Sequence, residues 1–505
     1  MNTSSPAIDR SERVPAAWCI AVFTALSLAA SLTSESFLEA DGCTHYLYAR
    51  FAFSEWHYFI NIWGRPLCTI LYSLPANLFG RVGVRTTSLF LAIGCAMVAY
   101  TIARRQGERR PILALLFTLA QPLVFFHSFS ELTELPFALV LGLAFVAYQK
   151  RSWGVMTLLT AISPLARPEG FGFIALAAVA LVCHCKGRWI ALLPIPLIIW
   201  DWAGWELYGR PSYRGFAEQL PHWLRWLPWL PQNWPYADTS AYKSGSLFHF
   251  AMLLPAVVSP LIFPAMPIGI WRCFSHTRLG NFLRDHRVRC DWLVAIIPLS
   301  VLAGHSLLYF TGRMSSSGEL RYMLVVAPFW GVLCARGWDW AFATMKWRRE
   351  MGFAALAAVF PLFINRAYQV LPLAVTEDWL HARRAADWVR QHPLRDAYPQ
   401  IMSSHPGVLY FLNVSPTDPT LREWRRQTIA RAPLGTILIW DEIYGVHNAD
   451  LSRSIPLSAI IEAGWVPLVV PAIENGTRDK PSTWLVFLSP RDARGRPTTR
   501  PNVRR

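Results

Sequence analysis

The sequence predicts a polytopic α-helical membrane protein with a small C-terminal α/β domain outside the membrane. Three observations predict it. Charged residues make up only 16% of a chain that is 53% hydrophobic, whereas about a quarter of a soluble protein's residues are charged. Apolar stretches close to the roughly 20 residues that cross a bilayer recur along most of the chain, and mean hydropathy is +0.28. The basic residues behind the formal net charge of +16 fall in short segments between those stretches and form no single patch.

The elements follow in order. Residues 1–15 are a cytoplasmic N-terminus. The first apolar stretch, 16–33, is preceded by Arg10 and Arg13 as a secretory signal would be. Acidic and aromatic residues follow it, with no small-residue cleavage site, so it is an uncleaved first span. Residues 34–83 form an external loop whose apolar pieces lie in or near the interface; one of them, "RPLCTILYSLPANLFG" (65–80), is too short to span. Span two (84–103) returns to "ARRQGERR". Spans three (111–127) and four (131–149) make a hairpin ending at "QKRS", and spans five (153–167) and six (170–185) make another ending at "CKGR".

Span seven (189–207) leads to an external loop rich in tryptophan: Trp200, Trp202, Trp205, Trp223, Trp226, Trp229 and Trp234. These are either an interfacial aromatic belt or a platform for a sugar ring or lipid chain. Span eight (247–271) returns to the most basic segment, "HTRLGNFLRDHRVR" (276–289). Spans nine (292–311) and ten (321–340) precede "MKWRRE", and span eleven (351–372) leads out again. With about eleven spans, every strong Lys/Arg cluster falls on one side, as the positive-inside rule requires of cytoplasmic loops. That placement excludes nucleic acid as a partner and favours membrane lipids.

From residue 375 the pattern changes to that of a soluble α/β domain reaching residue 490. "EDWLHARRAADWVRQH" (377–392) has helical periodicity, with Trp379, Ala382, Ala386 and Val389 on one face. "TILIWDEIYG" (436–445) and "STWLVFLSP" (482–490) read as strands, and "LSAIIEAGW" (457–465) as a helix closed by glycine. Asp441 and Glu442 after the first strand are expected to face solvent. The tail, 491–505, has the composition of a disordered basic segment. Nine cysteines are present, but Cys183 and Cys185 form a C-x-C beside His184 without a second ligand pair, so no zinc site is expected. No ligand set calls for a metal, and no cofactor is implied.

Ionisable residues near lipid are expensive and default to functional hypotheses. Four clusters fall on the external side: Glu39, Asp41 and His45, followed by Arg65; "HSFSELTELP" (127–136); "ISPLARPEGFGF" (162–173) with Arg167 and Glu169; and "SSSGELRYMLVVAP" (315–328) with Arg321 and Tyr322, preceded by His305. A carboxylate there can act as general base toward a hydroxyl, and arginines can grip a phosphate through forked hydrogen bonds. Blander readings stand beside these. Arg167 and Glu169 pair with each other, Arg321 is a snorkelling span anchor, and Glu131 and Glu134 cap span four.

The order of these features resembles the GT-C glycosyltransferases: an acidic residue in the first external loop, interfacial helices, many spans and a C-terminal external domain. "ARPEG" (166–170) and "GELRYMLVVAP" (318–328) look like patterns in GT-C members, including bacterial mannosyltransferase-like ones. The resemblance covers about 20–370. It implies a hexosyl- or pentosyltransferase that moves a sugar from a polyprenyl-phosphate donor to a lipid or glycan acceptor at the extracytoplasmic face. It assigns the catalytic base to Asp41, with Glu39 as the alternative, because relatives with an adjacent acidic pair leave that choice open. It also places Arg321 and Tyr322 near the donor phosphate, with His45, Arg65, Arg167, Glu169 and His305 as further substrate-binding candidates. A rival reading, a transporter or flippase for a lipid-linked substrate, accounts for the proline-broken helices but leaves the external domain without a role.

Overall fold

The computed structural model describes residues 10–208, 244–275, 282, 284–312, 317–363, 371–391, 397–446, 453–470 and 483–490. They divide into two compact units. The first comprises the chain up to Ser34, Ala49 through the end of α9 (below), and Ser244–Leu373; the second comprises Glu35–Tyr48 with the residues from Ala374 onward.

The first unit is helical. It contains α1 (Arg10–Thr33), the end of α2 (Ala40–Phe51), α3 (Pro66–Gln106), α4 (Pro111–Leu119), α5 (Pro122–His127), α6 (Glu134–Gln149), α7 (Trp153–Ile162), α8 (Gly170–Cys183) and α9 (Ile195–Tyr208). After the 209–243 region come α10 (His249–Val258), α11 (Ala265–Ser275), α12 (His286–Thr311), α13 (Ala327–Ala341) and α14 (Trp347–Phe363). Among the described residues, Glu12–Thr33, Pro66–Gln106, Gly187–Leu207 and His286–Thr311 are long and apolar enough to cross a membrane. α6, α8 and α10 are shorter apolar helices.

Backbone chemistry explains where the helices break. At 41 residues, a straight α3 would be about 60 Å long, twice the hydrocarbon core. Gly80 breaks it with φ 60° and ψ −145°, a conformation open essentially to glycine alone. The arm before Gly80 is the "RPLCTILYSLPANLFG" piece. Spans three and eight differ from the expected single helices. Pro122 forces Gln121 out of the helical region, to φ −66° and ψ 124°, and splits span three into α4 and α5. Ser259 at φ 87°, followed by Pro260, splits span eight into α10 and α11. Span ten opens as a 3₁₀ turn, Leu320–Val326, before α13.

Helix α13 is the core of this unit, with Phe329, Trp330, Val332 and Leu333 fully buried. Its crossing with α11 depends on glycine. A Cβ on Gly337 would stand 1.8 Å from the Ala265 carbonyl oxygen, and one on Gly269 would stand 1.9 Å from that of Leu333. Small residues let backbones approach this closely where no hydrophobic effect drives helices together. Gly337→Leu should therefore cost at least about 1–3 kcal/mol through overpacking, read as a lower melting temperature of the purified protein. Gly352→Leu, where an added Cβ meets nothing within 4 Å, should leave melting unchanged.

The second unit holds the start of α2 and a sheet domain: α15 (Glu377–Gln391), β1 (Gln400–Ser403), α16 (Pro406–Leu412), α17 (Arg426–Ala430), β2 (Thr436–Asp441), α18 (Glu442–Val446), α19 (Leu457–Glu462), β3 (Val466–Leu468) and β4 (Trp484–Leu488). The strand order is β1-β2-β4-β3; β1 and β2 are parallel and the other pairs antiparallel. β2 is buried along its whole length because both sheet faces are covered. Ile437, Ile439 and Val486 pack with Ala382, Ala385 and Val389 of α15. Leu438, Trp440 and Phe487 pack with Ile429 and Ile460 on the other side. The amphipathic helix and the strand within 482–490 are present, the strand expected over 436–445 ends at Asp441 and gives way to α18, and Gly464 at φ 75° closes α19. Phe37 fastens the Glu35–Tyr48 segment within this unit, its ring 5.4 Å from that of Trp379 and 5.0 Å from that of Tyr410.

Candidate functional site

A buried charge cluster forms in the first unit where four chain segments turn. Helix α7 ends in a 3₁₀ turn, Ser163–Leu165, and α8 begins at once with Gly170. A Cβ on Gly170 would lie 2.4 Å from the Pro164 nitrogen, so glycine is what lets the chain fold back so tightly. The tight turn sends Arg167 inward. Its Nε and Nη2 donate to Glu169 Oε1 at 3.1 and 2.9 Å, and its Nη1 donates to Glu134 Oε1 at 2.5 Å and Thr133 Oγ1 at 3.2 Å. Glu134 Oε1 also lies 3.8 Å from Arg321 Nε, which forms a short hydrogen bond to Glu319.

Two histidines complete the arrangement. His305 Nε2 lies 3.4 Å from Glu169 Oε1, and its ring stacks on Tyr322 at 4.8 Å. The Arg167 guanidinium sits over the same tyrosine ring, 5.7 Å from its centroid, and Tyr322 Oη is 3.0 Å from Ser317 Oγ. His249, the first residue of α10, bonds the Gly318 carbonyl through Nε2 at 2.7 Å and so steadies the segment that presents Glu319 and Arg321.

Glu134 is 1% exposed, Arg167 8% and Arg321 9%. Burial alone would raise the Glu169 pKa; the Arg167 guanidinium beside it and the hydrogen bond from His305 reverse that and hold the carboxyl well below its usual range. Charges buried this deeply are costly even when paired, and beside a membrane they mark function. Sequence reasoning treated Glu134 and Glu131 as helix caps; Glu134 does open α6, and the structure gives both carboxylates buried partners as well. Glu134 is the shared anion of two arginines. Glu131 pairs with Arg85 at 2.9 Å, while Arg85 also donates to the Ser31 and Ser34 carbonyls. Arg85 at the start of span two was the available signal, since a guanidinium buried at the end of an apolar span requires an anion. Arg321 is likewise buried and is no snorkelling anchor.

Arg65 is also buried, at the start of α3, with φ 61° and its Nη1 donating to the Ile62 carbonyl at 3.1 Å. Its helix arm packs on the turn that carries Arg167, with Cys68 Sγ 4.0 Å from the Ala166 oxygen. Tyr72 of the same arm donates to the Leu132 carbonyl at 2.9 Å, fixing the segment before Glu134. The structure thus brings Arg65 and its arm, Arg167, Glu169, His305, Arg321 and Tyr322 into one region of the first unit.

Glu39, Asp41 and His45 belong to the second unit. Asp41 sits half-buried in the first turn of α2, Glu39 accepts from the Gly42 N–H at 3.0 Å through its carbonyl, and His45 is buried. Cys43 Sγ lies 3.7 Å from the Pro406 oxygen. Around this turn the domain assembles groups that sequence reasoning missed. His405 donates from Nε2 to Asp378 at 2.8 Å, and its Nδ1 accepts from Gly407 N–H at 3.0 Å, which fixes its tautomer. Asp441, expected to face solvent, is fully buried at the end of β2. It accepts from the Tyr444 amide at 2.6 Å and from Ser404 Oγ at 3.2 Å, and burial pushes its pKa up. The Tyr444 phenol is raised by burial, then by Asp378, Asp441 and Asp41, so Asp41 shares its electrostatic surroundings with these groups.

Of the tryptophans, Trp200 is buried with its indole N–H 2.7 Å from the Ile60 carbonyl, while Trp202 and Trp205 are exposed on α9. Trp223, Trp226, Trp229 and Trp234 lie outside the described residues, as does the 491–505 tail. Among the described residues no group of three or more His, Cys, Asp or Glu side chains is placed to hold a metal ion.

The architecture matches two crystal structures of ArnT from Cupriavidus metallidurans. The one bound to undecaprenyl phosphate superposes with a TM-score of 0.59 at 14% identity, covering 93% of this chain and 97% of that one. The fold is that of ArnT. The apo ArnT structure matches with a TM-score of 0.59 at 13% identity, covering 94% of this chain and 98% of that one. The expected bundle of apolar helices with a C-terminal sheet domain is borne out in the fold that ArnT and this chain share. No protein-family model matches the sequence, and no curated protein does.

Proposed function

We propose that the protein is a membrane glycosyltransferase that takes a sugar from a polyprenyl-phosphate donor. The observation that carries this reading is the buried Glu134–Arg167–Glu169–His305–Arg321 cluster within an ArnT-like fold. Undecaprenyl phosphate is the ligand of the ArnT structure, and a donor of that class suits paired guanidinium groups. Arg167 and Arg321 hold the phosphate and offset the charge that develops on it as it leaves. Glu134 and Glu169 keep the guanidinium groups aimed in the meantime.

Asp41 is the general base, with Glu39 second in line. It takes the proton of the acceptor hydroxyl at the extracytoplasmic face, and the oxygen attacks the anomeric carbon. The bond from that carbon to the phosphate oxygen breaks, its electron pair leaves with the polyprenyl phosphate, and the anomeric configuration inverts. The basic clusters between the spans favour a cytoplasmic N-terminus and a sheet domain outside, by the positive-inside rule. The acceptor is a lipid or glycan hydroxyl, and the sugar is a hexose, mannose included, or a pentose.

The reading is tested by incubating reconstituted protein with a panel of radiolabelled polyprenyl-phosphate sugars and an acceptor extract of membrane lipids and glycans. Transfer of label from at least one donor supports it. Failure of every donor, with the protein folded, contradicts it.

A further inference from the structure

The ends of α6, α7, α8 and α12 opposite the charge cluster form a second, chemically different region. Glu134 opens α6, whereas Tyr148 lies near its other end; Glu169 precedes α8, whereas His184 follows it; His305 is late in α12, whereas His286 begins it. Helices of these lengths separate the two regions by roughly 20–30 Å, about the thickness of a bilayer core. The basic segments "QKRS", "CKGR" and "RDHRVR" meet here in space.

They line an open cavity of about 320 Å³, bordered by Arg151, Lys186, Arg284 and Arg289 with Trp153, His184 and His286. Among the described residues no carboxylate lines it; the nearby Asp285 caps α12 by accepting from the Arg287 amide at 2.8 Å. The rings form a cage: Tyr148 Oη is 3.2 Å from His184 Nε2, Trp153 is 4.6 Å from His184, and His184 is 5.1 Å from His286. Two non-glycine residues on its rim adopt left-handed backbone, Arg151 at φ 56° and Cys185 at φ 53°. Such conformations cost free energy and gather at ligand clamps. Here they are the turns that set Arg151 and Lys186 at the cavity.

A second cavity, of about 140 Å³, adjoins the first and is apolar, lined among others by Leu141, Phe145, Met156, Phe173, Ala177 and Ile297. His184 and Arg289 line both, so a polar chamber opens into a greasy one between helices. Val179, 59% exposed, marks the side on which the apolar chamber reaches the surface of the bundle. Basic pockets between membrane helices on the positively charged side select anionic lipid headgroups.

We propose that this paired cavity is a binding site for an anionic membrane phospholipid, with its phosphate among Arg151, Lys186, Arg284 and Arg289 and an acyl chain in the apolar chamber. The site lies at the opposite end of the bundle from the cluster assigned to the donor and does not depend on that assignment. Its ligand would act as a structural or regulatory lipid.

Native mass spectrometry of the full-length protein tests it, with phosphatidylglycerol, phosphatidylcholine, undecaprenyl phosphate and inorganic phosphate as probes. Phosphatidylglycerol is expected to be retained at least about tenfold better than phosphatidylcholine. Arg151→Glu/Lys186→Glu should lose at least about tenfold in that retention, and Ala177→Trp, which fills the apolar chamber, should weaken it without altering headgroup preference. Should the charge-reversed variant fail to fold, Arg151→Gln/Lys186→Gln carries the test. Equal retention of the two phospholipids, retention unaffected by the charge variants, or binding of inorganic phosphate as tight as that of the lipid would each overturn the proposal. So would preference for undecaprenyl phosphate over phosphatidylglycerol.

Discussion

Asp41→Asn is expected to reduce sugar transfer by about 10²–10⁴-fold, the usual contribution of general-base catalysis, with melting close to wild type. The size of the effect separates the catalytic role from the structural one. As a first-turn carboxylate in α2, Asp41 contributes about 0.3–1 kcal/mol through the helix dipole. A 10²–10⁴-fold loss corresponds to roughly 3–5 kcal/mol on the barrier. Glu39→Gln, made alongside, should cost far less. If Glu39→Gln carries the large loss and Asp41→Asn the small one, the base is Glu39. The check is initial rate against melting temperature for both variants, with wild-type protein in the same lipid.

The second large effect concerns Arg167. Removing one partner of a buried ion pair leaves the other charged and uncompensated, at about 3–5 kcal/mol. Arg167→Ala strips the guanidinium from both Glu134 and Glu169, so a steep fall in melting temperature is expected along with loss of transfer. The double variant Arg167→Ala/Glu169→Gln, which neutralises one of the stranded carboxylates, should recover part of the melting temperature. Transfer should stay lost, because the group that holds the leaving phosphate is still missing. Recovery of activity with stability in the double variant would make Arg167 purely structural.

Much of this organisation is legible in the sequence, because hydropathy and charge placement report directly on the lipid environment. The amphipathic pattern of α15 and the strands around Ile437 and Val486 are legible for the same reason: each buries a periodic apolar face. Helix breaks inside an apolar run are harder to read. Pro122 interrupts α4–α5 whereas Pro298 lies inside a continuous α12, and the difference depends on neighbours supplied by the fold. Residue partnerships are harder still. Arg167 and Glu169 are two residues apart and were visible as a pair, but Glu134 joins them from 33 residues before Arg167. Asp441 looked like a turn residue because its strand ends there, and only the packing of α18 and β4 around it buries its carboxyl.

The most direct measurement follows both halves of one donor. Reconstituted protein is given a polyprenyl-phosphate sugar carrying ³H in the sugar and ³²P in the phosphate. A glycosyltransferase moves ³H into the acceptor and releases ³²P-labelled polyprenyl phosphate in equal amounts, with both events suppressed together in Asp41→Asn. If the two labels instead stay on one lipid that changes leaflet, the protein is a transporter and the catalytic account fails.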